Sequence, residues 1–269
     1  MTRTKQVLAF SFAAALFGAG CQAGPAVPAA QAPTPAPERP DVTEQTVATG
    51  TLRGLYVVPA KRTGKVPGIV IVHEWWGLND QIKDEARQLA AQGYAVFAID
   101  LYDGQVTDDA TQAGKLSGAV RAAPDAALKK MNAAVDFLAA QPEVESQKLA
   151  TIGWCFGGGF SALEGTTGDP RLKATVVYYG TPITDPKQLA RMKQPVLGIW
   201  GEDDQAIPAA GARIWEAALK KQGTSAEFHY YPGAGHAFAN PTHSDSYRPE
   251  ATADAWAKTL AFLATNLKK

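Results

Sequence analysis

Cysteine is scarce in this sequence. Only Cys21 and Cys155 occur among 269 residues, which excludes a disulfide-stapled scaffold and a cysteine-rich zinc site. Histidine is scarce too. The four present form no Cys/His cluster at metal-ligand spacing, so neither a metal nor a cofactor is expected. An excess of charge of one sign is also missing. Lys plus Arg number 26 and Asp plus Glu number 26, which leaves no electrostatic footprint for nucleic acid. No apolar run reaches the roughly 20 residues a membrane-spanning helix needs. What remains is a chain with 46% hydrophobic residues, enough for one globular domain with a full core plus a tail.

The tail comes first. Arg3 and Lys5 precede an apolar run from Val7 to Phe17, and Gly18-Ala19-Gly20 stands before Cys21. Residues 1–23 therefore read as an export signal. Cys21 would be the lipidated residue of a bacterial lipoprotein, although Gly18 stands where such signals usually carry an aliphatic residue. The expected location is periplasmic, lipid-anchored through Cys21, with simple secretion as the alternative. Residues 24–44 carry six prolines among alanines, the composition of an extended linker. The globular domain is expected over 45–269.

Within that domain short apolar runs alternate with helical patterns. Thr51–Pro59, Pro67–His73, Tyr94–Ile99, Leu149–Trp154, Ala174–Tyr179, Pro195–Trp200 and Glu227–Tyr231 read as strands. Helices are expected over 80–92, from Pro124, over about 210–221, and at the end of the chain, where Trp256, Leu260, Leu263 and Leu267 share a face. Residues 103–123 are weakly patterned and read as a loop with a short helix. The alternation predicts an α/β fold with a mostly parallel, doubly wound sheet.

The most informative stretch is Gly153-Trp-Cys-Phe-Gly157. Gly-x-Cys-x-Gly between a strand and a helix is the nucleophile-elbow pattern with cysteine in place of serine. Gly153, Gly157 and Gly158 supply the small neighbours that so sharp a turn requires, and the helix N-terminus favours thiolate. The same residues also suit a small buried cysteine in a glycine-rich turn. A nucleophile needs a base, and the base an orienting acid. In doubly wound sheets reactive groups gather beyond the C-terminal strand ends. Gly201-Glu-Asp-Asp204 follows one predicted strand and Gly235-His236 another. Glu202, Asp203 and Asp204 compete for the acid. Asp204 is favoured because it fits Gly-x-x-Asp-x-x-Ile-Pro, ending at Pro208. The order Cys155, Asp204, His236 is that of α/β-hydrolase triads. His73, His229 and His243 read as structural or solvated.

Five ordered segments, His73-Glu-Trp-Trp-Gly77, Asp100-Leu-Tyr102, Gly153–Gly158, Gly201-x-x-Asp204 and Gly235-His-Ala-Phe238, resemble those of the dienelactone hydrolases. The resemblance covers about residues 50–267. It implies the α/β-hydrolase fold and a Cys155–His236–Asp204 triad. It also implies that Glu74 helps convert the thiol to thiolate when substrate arrives, and that the Trp75 and Phe156 backbone N–H groups form the oxyanion hole. Family members that act on dienelactones grip the substrate carboxylate with two arginines. Here Ala110 or Thr111 stands at one of those places and Asn240 at the other; Lys115 and Arg121 match neither place and are the candidates to compensate. The expectation is therefore hydrolysis of a small-molecule ester or lactone other than dienelactone itself, with Trp76, Tyr102 and Asn240 among the residues near the substrate. Trp75 and Trp154 are either pocket or core residues. A glutamine amidotransferase also carries a cysteine elbow, but its later His-x-Glu is replaced here by His236-Ala-Phe238. A non-catalytic binding protein on the same fold is the other alternative.

Overall fold

The structure, a computed structural model, describes residues 41–268. The expected export signal, Cys21 and nearly all of the expected linker lie outside the described residues. The chain forms β1 (Val42–Thr49), β2 (Leu52–Pro59), β3 (Val66–Val72), α1 (Asp80–Ala91), β4 (Ala95–Ile99), α2 (Ala110–Arg121), α3 (Pro124–Ala140) and β5 (Val144–Trp154). It continues with α4 (Phe156–Glu164), β6 (Leu172–Tyr178), α5 (Pro186–Leu189), β7 (Val196–Gly201), α6 (Ala209–Lys221), β8 (Ala226–Tyr231) and α7 (Pro249–Leu267).

One eight-stranded sheet runs in the order β1-β2-β4-β3-β5-β6-β7-β8. β1 pairs antiparallel with β2, and β2 antiparallel with β4. From β4 to β8 every neighbouring pair is parallel. The central strands are apolar at almost every position because helices cover both faces. One face packs Ile82, Ala86 and Leu89 of α1 together with Trp215 of α6 and Leu263 of α7. The other packs Met131, Val135 and Leu138 of α3 against Val70, Val72, Phe156 and Phe160. Each of these large apolar side chains stabilises the fold by roughly 1.5–3 kcal/mol when fully buried.

The expected strands all form, and β1 precedes them with its start at Val42, inside the stretch expected to be linker. Residues 103–123 differ more. They hold a full twelve-residue helix, α2, whose N-cap Asp109 accepts from the Gln112 amide. Only Ala113 and Ser117 of α2 are buried, so its apolar stripe was too thin to read. On α7 the buried face is Ala255, Thr259, Phe262, Leu263 and Leu267. Trp256 and Leu260 flank it half-buried. Thr259 belongs to the face because its hydroxyl pairs with the Tyr178 hydroxyl at 2.7 Å.

Candidate active site

The site lies beyond the C-terminal ends of the parallel strands, and its geometry begins at Cys155. This residue joins β5 to α4 with φ +54° and ψ −117°, a region that side-chain-bearing residues rarely enter and that stores strain. The turn closes because its neighbours lack side chains. A Cβ on Gly153 would lie 2.2 Å from the Gly157 carbonyl oxygen, and one on Gly157 would lie 2.2 Å from that of Val72. The second contact presses the start of α4 onto the end of β3. Phe156 is the first residue of α4, so its N–H has no partner within the helix. Among the described residues neither that amide nor the Trp75 amide donates to a protein acceptor. Both N–H groups are therefore free to donate.

His236 follows β8 in a tight turn that gives Ala237 φ +58°. Its Nε2 lies 3.0 Å from Cys155 Sγ, and its Nδ1 lies 2.8 Å from Asp204 Oδ2. Asp204 has a fully buried side chain. Its Oδ1 accepts from the Ala206 and Ile207 amides, both at 2.8 Å, which fixes the carboxylate plane. The other two acids are placed elsewhere. Glu202 pairs with Arg213 and Asp203 is exposed. Burial alone would lower the His236 pKa. The bonds to Asp204 and Cys155 and their negative charge outweigh it and raise the value to about 10.

Glu74 is 2% exposed and Asn240 1%. Asn240 Nδ2 donates to Glu74 Oε2 at 2.6 Å, and the Tyr179 hydroxyl donates to Oε1 at 3.5 Å. Burial pushes the Glu74 carboxyl above the usual range, against the opposing effects of Asn240, His236 and Tyr179. No hydrogen bond joins Glu74 to the thiol in this arrangement, in which Sγ is engaged by His236.

His73 has a structural part. Burial lowers its pKa to about 4, so the ring is neutral. Its Nε2 accepts from the Leu101 amide at 3.2 Å, leaving Nδ1 to donate to the Glu74 carbonyl at 2.5 Å. His229 pairs with Glu227. His243 stacks on Trp76 at 5.4 Å.

Trp75 and Trp76 are partly exposed and in ring contact at 4.7 Å. Tyr102 is buried, with its ring against His73 and Phe156. Trp154 is buried against Tyr178. Tyr102 and Asn240 are both almost fully buried. Ala110, Thr111 and Lys115 are exposed on α2. Arg121 lies 5.2 Å over the Phe156 ring and bonds the Ser117 hydroxyl at 3.0 Å. Tyr179, the last residue of an expected apolar strand, is not among the sequence candidates. It has φ +35° and meets the His236 ring edge-on at 5.2 Å. Its position at the carboxyl end of a strand next to the elbow is the signal that could have found it. Among the described residues no His, Cys, Asp and Glu group could hold a metal ion.

A mostly parallel sheet with a cysteine elbow and a histidine bridging sulfur to a buried carboxylate defines an α/β-hydrolase-type enzyme. Residues 52–267 match the model of the dienelactone hydrolase family, and the chain belongs to that family. A Methylorubrum extorquens protein provisionally named carboxymethylenebutenolidase is 34% identical over 217 residues, covering 74% of each chain. The Aquifex pyrophilus protein usf is 31% identical over 213 residues, 77% of this chain and 90% of that one. Among solved structures, a dienelactone hydrolase-like promiscuous phosphotriesterase from metagenomic libraries superposes with a TM-score of 0.78 at 26% identity. That match covers 84% of this chain and 99% of the other. The structure named m3DLH gives a TM-score of 0.79 at 27% identity over the same shares. The protein is thus a dienelactone-hydrolase-like hydrolase of esters or lactones.

Proposed function

We propose that the chain cleaves a carboxylic ester or lactone through a thioester on Cys155, with His236 and Asp204 completing the triad. The observation that carries this reading is the single imidazole bridging Sγ at 3.0 Å and Asp204 Oδ2 at 2.8 Å. The thiol proton passes to His236 Nε2 and the sulfur attacks the acyl carbon. Negative charge develops on the carbonyl oxygen, where the Trp75 and Phe156 N–H groups donate to it. As the tetrahedral adduct collapses, the bond from carbon to the leaving oxygen breaks and that oxygen takes the proton from Nε2. His236 then removes a proton from water, the hydroxide attacks the thioester, and the thiolate leaves. Asp204 keeps the imidazole proton on Nδ1 and stabilises the cation in both halves.

Glu74 joins the proposal as a buried carboxyl beside His236. Activation of the thiol through Glu74 belongs to the family resemblance, and the route through His236 needs no movement of either side chain. Dienelactone itself is not the proposed substrate, since neither arginine position holds an arginine. Turnover of a panel of aryl esters and lactones tests the reading, with Cys155→Ala as the control. No turnover on any of them, or equal turnover by the mutant, would overturn it. Export and lipid anchoring at Cys21 rest on the sequence of residues 1–23. They predict that Cys21→Ser moves the protein from the membrane fraction to the soluble fraction.

A further inference from the structure

We propose that Asn240 is a positioning residue that aims the Trp75 oxyanion donor, by fastening the turn after β3 to the loop that carries His236. The inference rests on the triad reading above. β3 and β8 are not neighbours; β5, β6 and β7 lie between them. The sheet by itself leaves the two loops free to drift relative to each other. The Trp75 N–H belongs to the same planar peptide as the Glu74 carbonyl, so fixing one aims the other. That carbonyl is held by His73 Nδ1 and by the Gly77 amide at 3.3 Å. The Glu74 side chain ties this unit to the loop that carries His236 through Asn240 at 2.6 Å, beside the longer contact with Tyr179 at 3.5 Å.

The orientation of the Asn240 amide is determined by its neighbours. Its Oδ1 accepts from the Thr242 amide at 2.9 Å and from the Thr242 hydroxyl at 2.7 Å. The NH₂ group must then face Glu74 Oε2. The Asn240 backbone N–H donates to the Ala237 carbonyl at 3.0 Å, so one turn carries both His236 and the strut. Loss of this buried bond leaves Glu74 Oε2 without a protein partner. The titratable groups around Glu74 are His236, Tyr179 and, from α1, Glu85. None of them reaches Oε2.

The test compares wild type, Asn240→Ala, Asn240→Asp and Thr242→Val. Hydrolysis of 4-nitrophenyl acetate is measured from pH 5 to 9, alongside the rate of Cys155 alkylation by iodoacetamide. Alkylation forms no oxyanion, so it reports the Cys155–His236 pair alone. Asn240→Ala is expected to lower kcat about tenfold to a hundredfold, as a misaimed oxyanion donor should, with KM and the alkylation rate within about threefold of wild type. Asn240→Asp should approach wild type at the acid end, where the two carboxyls share a proton. It should fall to the level of Asn240→Ala as both ionise and repel. Thr242→Val removes one of the two donors that orient the Asn240 amide and keeps the backbone N–H, so it should lower kcat in the same direction by less, and it remains informative if Asn240→Ala does not fold. The proposal is overturned by Asn240→Ala or Thr242→Val turning over as wild type does. It is equally overturned by alkylation falling in step with hydrolysis, or by Asn240→Asp matching Asn240→Ala at every pH. Failure of the triad reading would appear separately, as turnover that survives Cys155→Ala.

Discussion

Replacing Asp204 by asparagine removes one charge and almost no volume, and the structure dictates how the new amide would sit. Oδ1 of Asp204 accepts from two backbone amides. Asparagine must keep its carbonyl oxygen there, so its NH₂ group takes the place of Oδ2 and faces His236 Nδ1. The imidazole can then only accept at Nδ1, and its proton moves to Nε2, opposite the thiol. Two effects follow. The charge-assisted bond to the imidazolium is lost, about 1.5–3 kcal/mol. The ring is also held in the tautomer that cannot take the sulfur proton, a change that costs about 10⁴-fold in serine triads. Cysteine ionises more readily than serine, so the expected loss in kcat/KM is between about 10²- and 10⁴-fold, or ~3–5 kcal/mol. The assay is aryl ester hydrolysis across pH 6–10, with circular dichroism confirming the fold. Asp204→Ala is the poorer probe, because it strands both loop amides in a buried site. Activity of Asp204→Asn within about fivefold of wild type at every pH would refute the assignment of the acid.

Glu164 offers a stability test away from the chemistry. It is fully buried at the end of α4, and neither carboxyl oxygen has a partner. Burial raises its pKa to about 8. The folded chain therefore keeps the proton while the unfolded chain releases it near its ordinary value of about 4.5, and stability falls as pH rises between the two. Glu164→Gln removes that loss. It should stabilise on the order of 3 kcal/mol at pH 7 and little at pH 4, and equal urea midpoints for the two proteins at both pH values would contradict the burial argument. Gly153→Ala should destabilise by about 3 kcal/mol or more and abolish turnover, because the new methyl meets backbone atoms of α4; thermal unfolding reads the first effect and ester hydrolysis the second. In Cys155→Ala the His236 titration midpoint, followed by NMR, should fall below its value of about 10, since one of the two partners that raise it is gone. An unchanged midpoint would mean that the sulfur does not engage the ring.

Most of the fold was legible because β2 to β8 and the longer helices announce themselves locally. The apolar run before Cys155 and the glycines after it define the elbow without reference to any other part of the chain. His236 and Asp204 could be nominated because reactive groups collect at one edge of a parallel sheet, and both follow apolar runs. Three neighbouring acids could not be separated in the sequence. What distinguishes Asp204 is that its carboxylate turns inward onto two amides of its own loop, a matter of tertiary direction. α2 was missed because only two of its residues are buried, so neither period nor hydrophobicity marks it. The bond from Asn240 to Glu74 is illegible in the sequence, because 166 residues separate the two. Tyr179 was hidden for the opposite reason. Its sequence neighbours describe an ordinary strand, and only the crossing of β6 behind the elbow brings its ring to His236.

The central claim is that an acyl group resides on Cys155 between two half-reactions. Intact-protein mass spectrometry of enzyme quenched in acid during turnover of an aryl ester tests it directly. The account predicts a species heavier by one acyl group, with the label on the peptide containing Cys155, lost on treatment with hydroxylamine and absent from Cys155→Ala. Turnover without any such species in a His236 variant slowed in deacylation, or an acyl label that persists in Cys155→Ala, would contradict it.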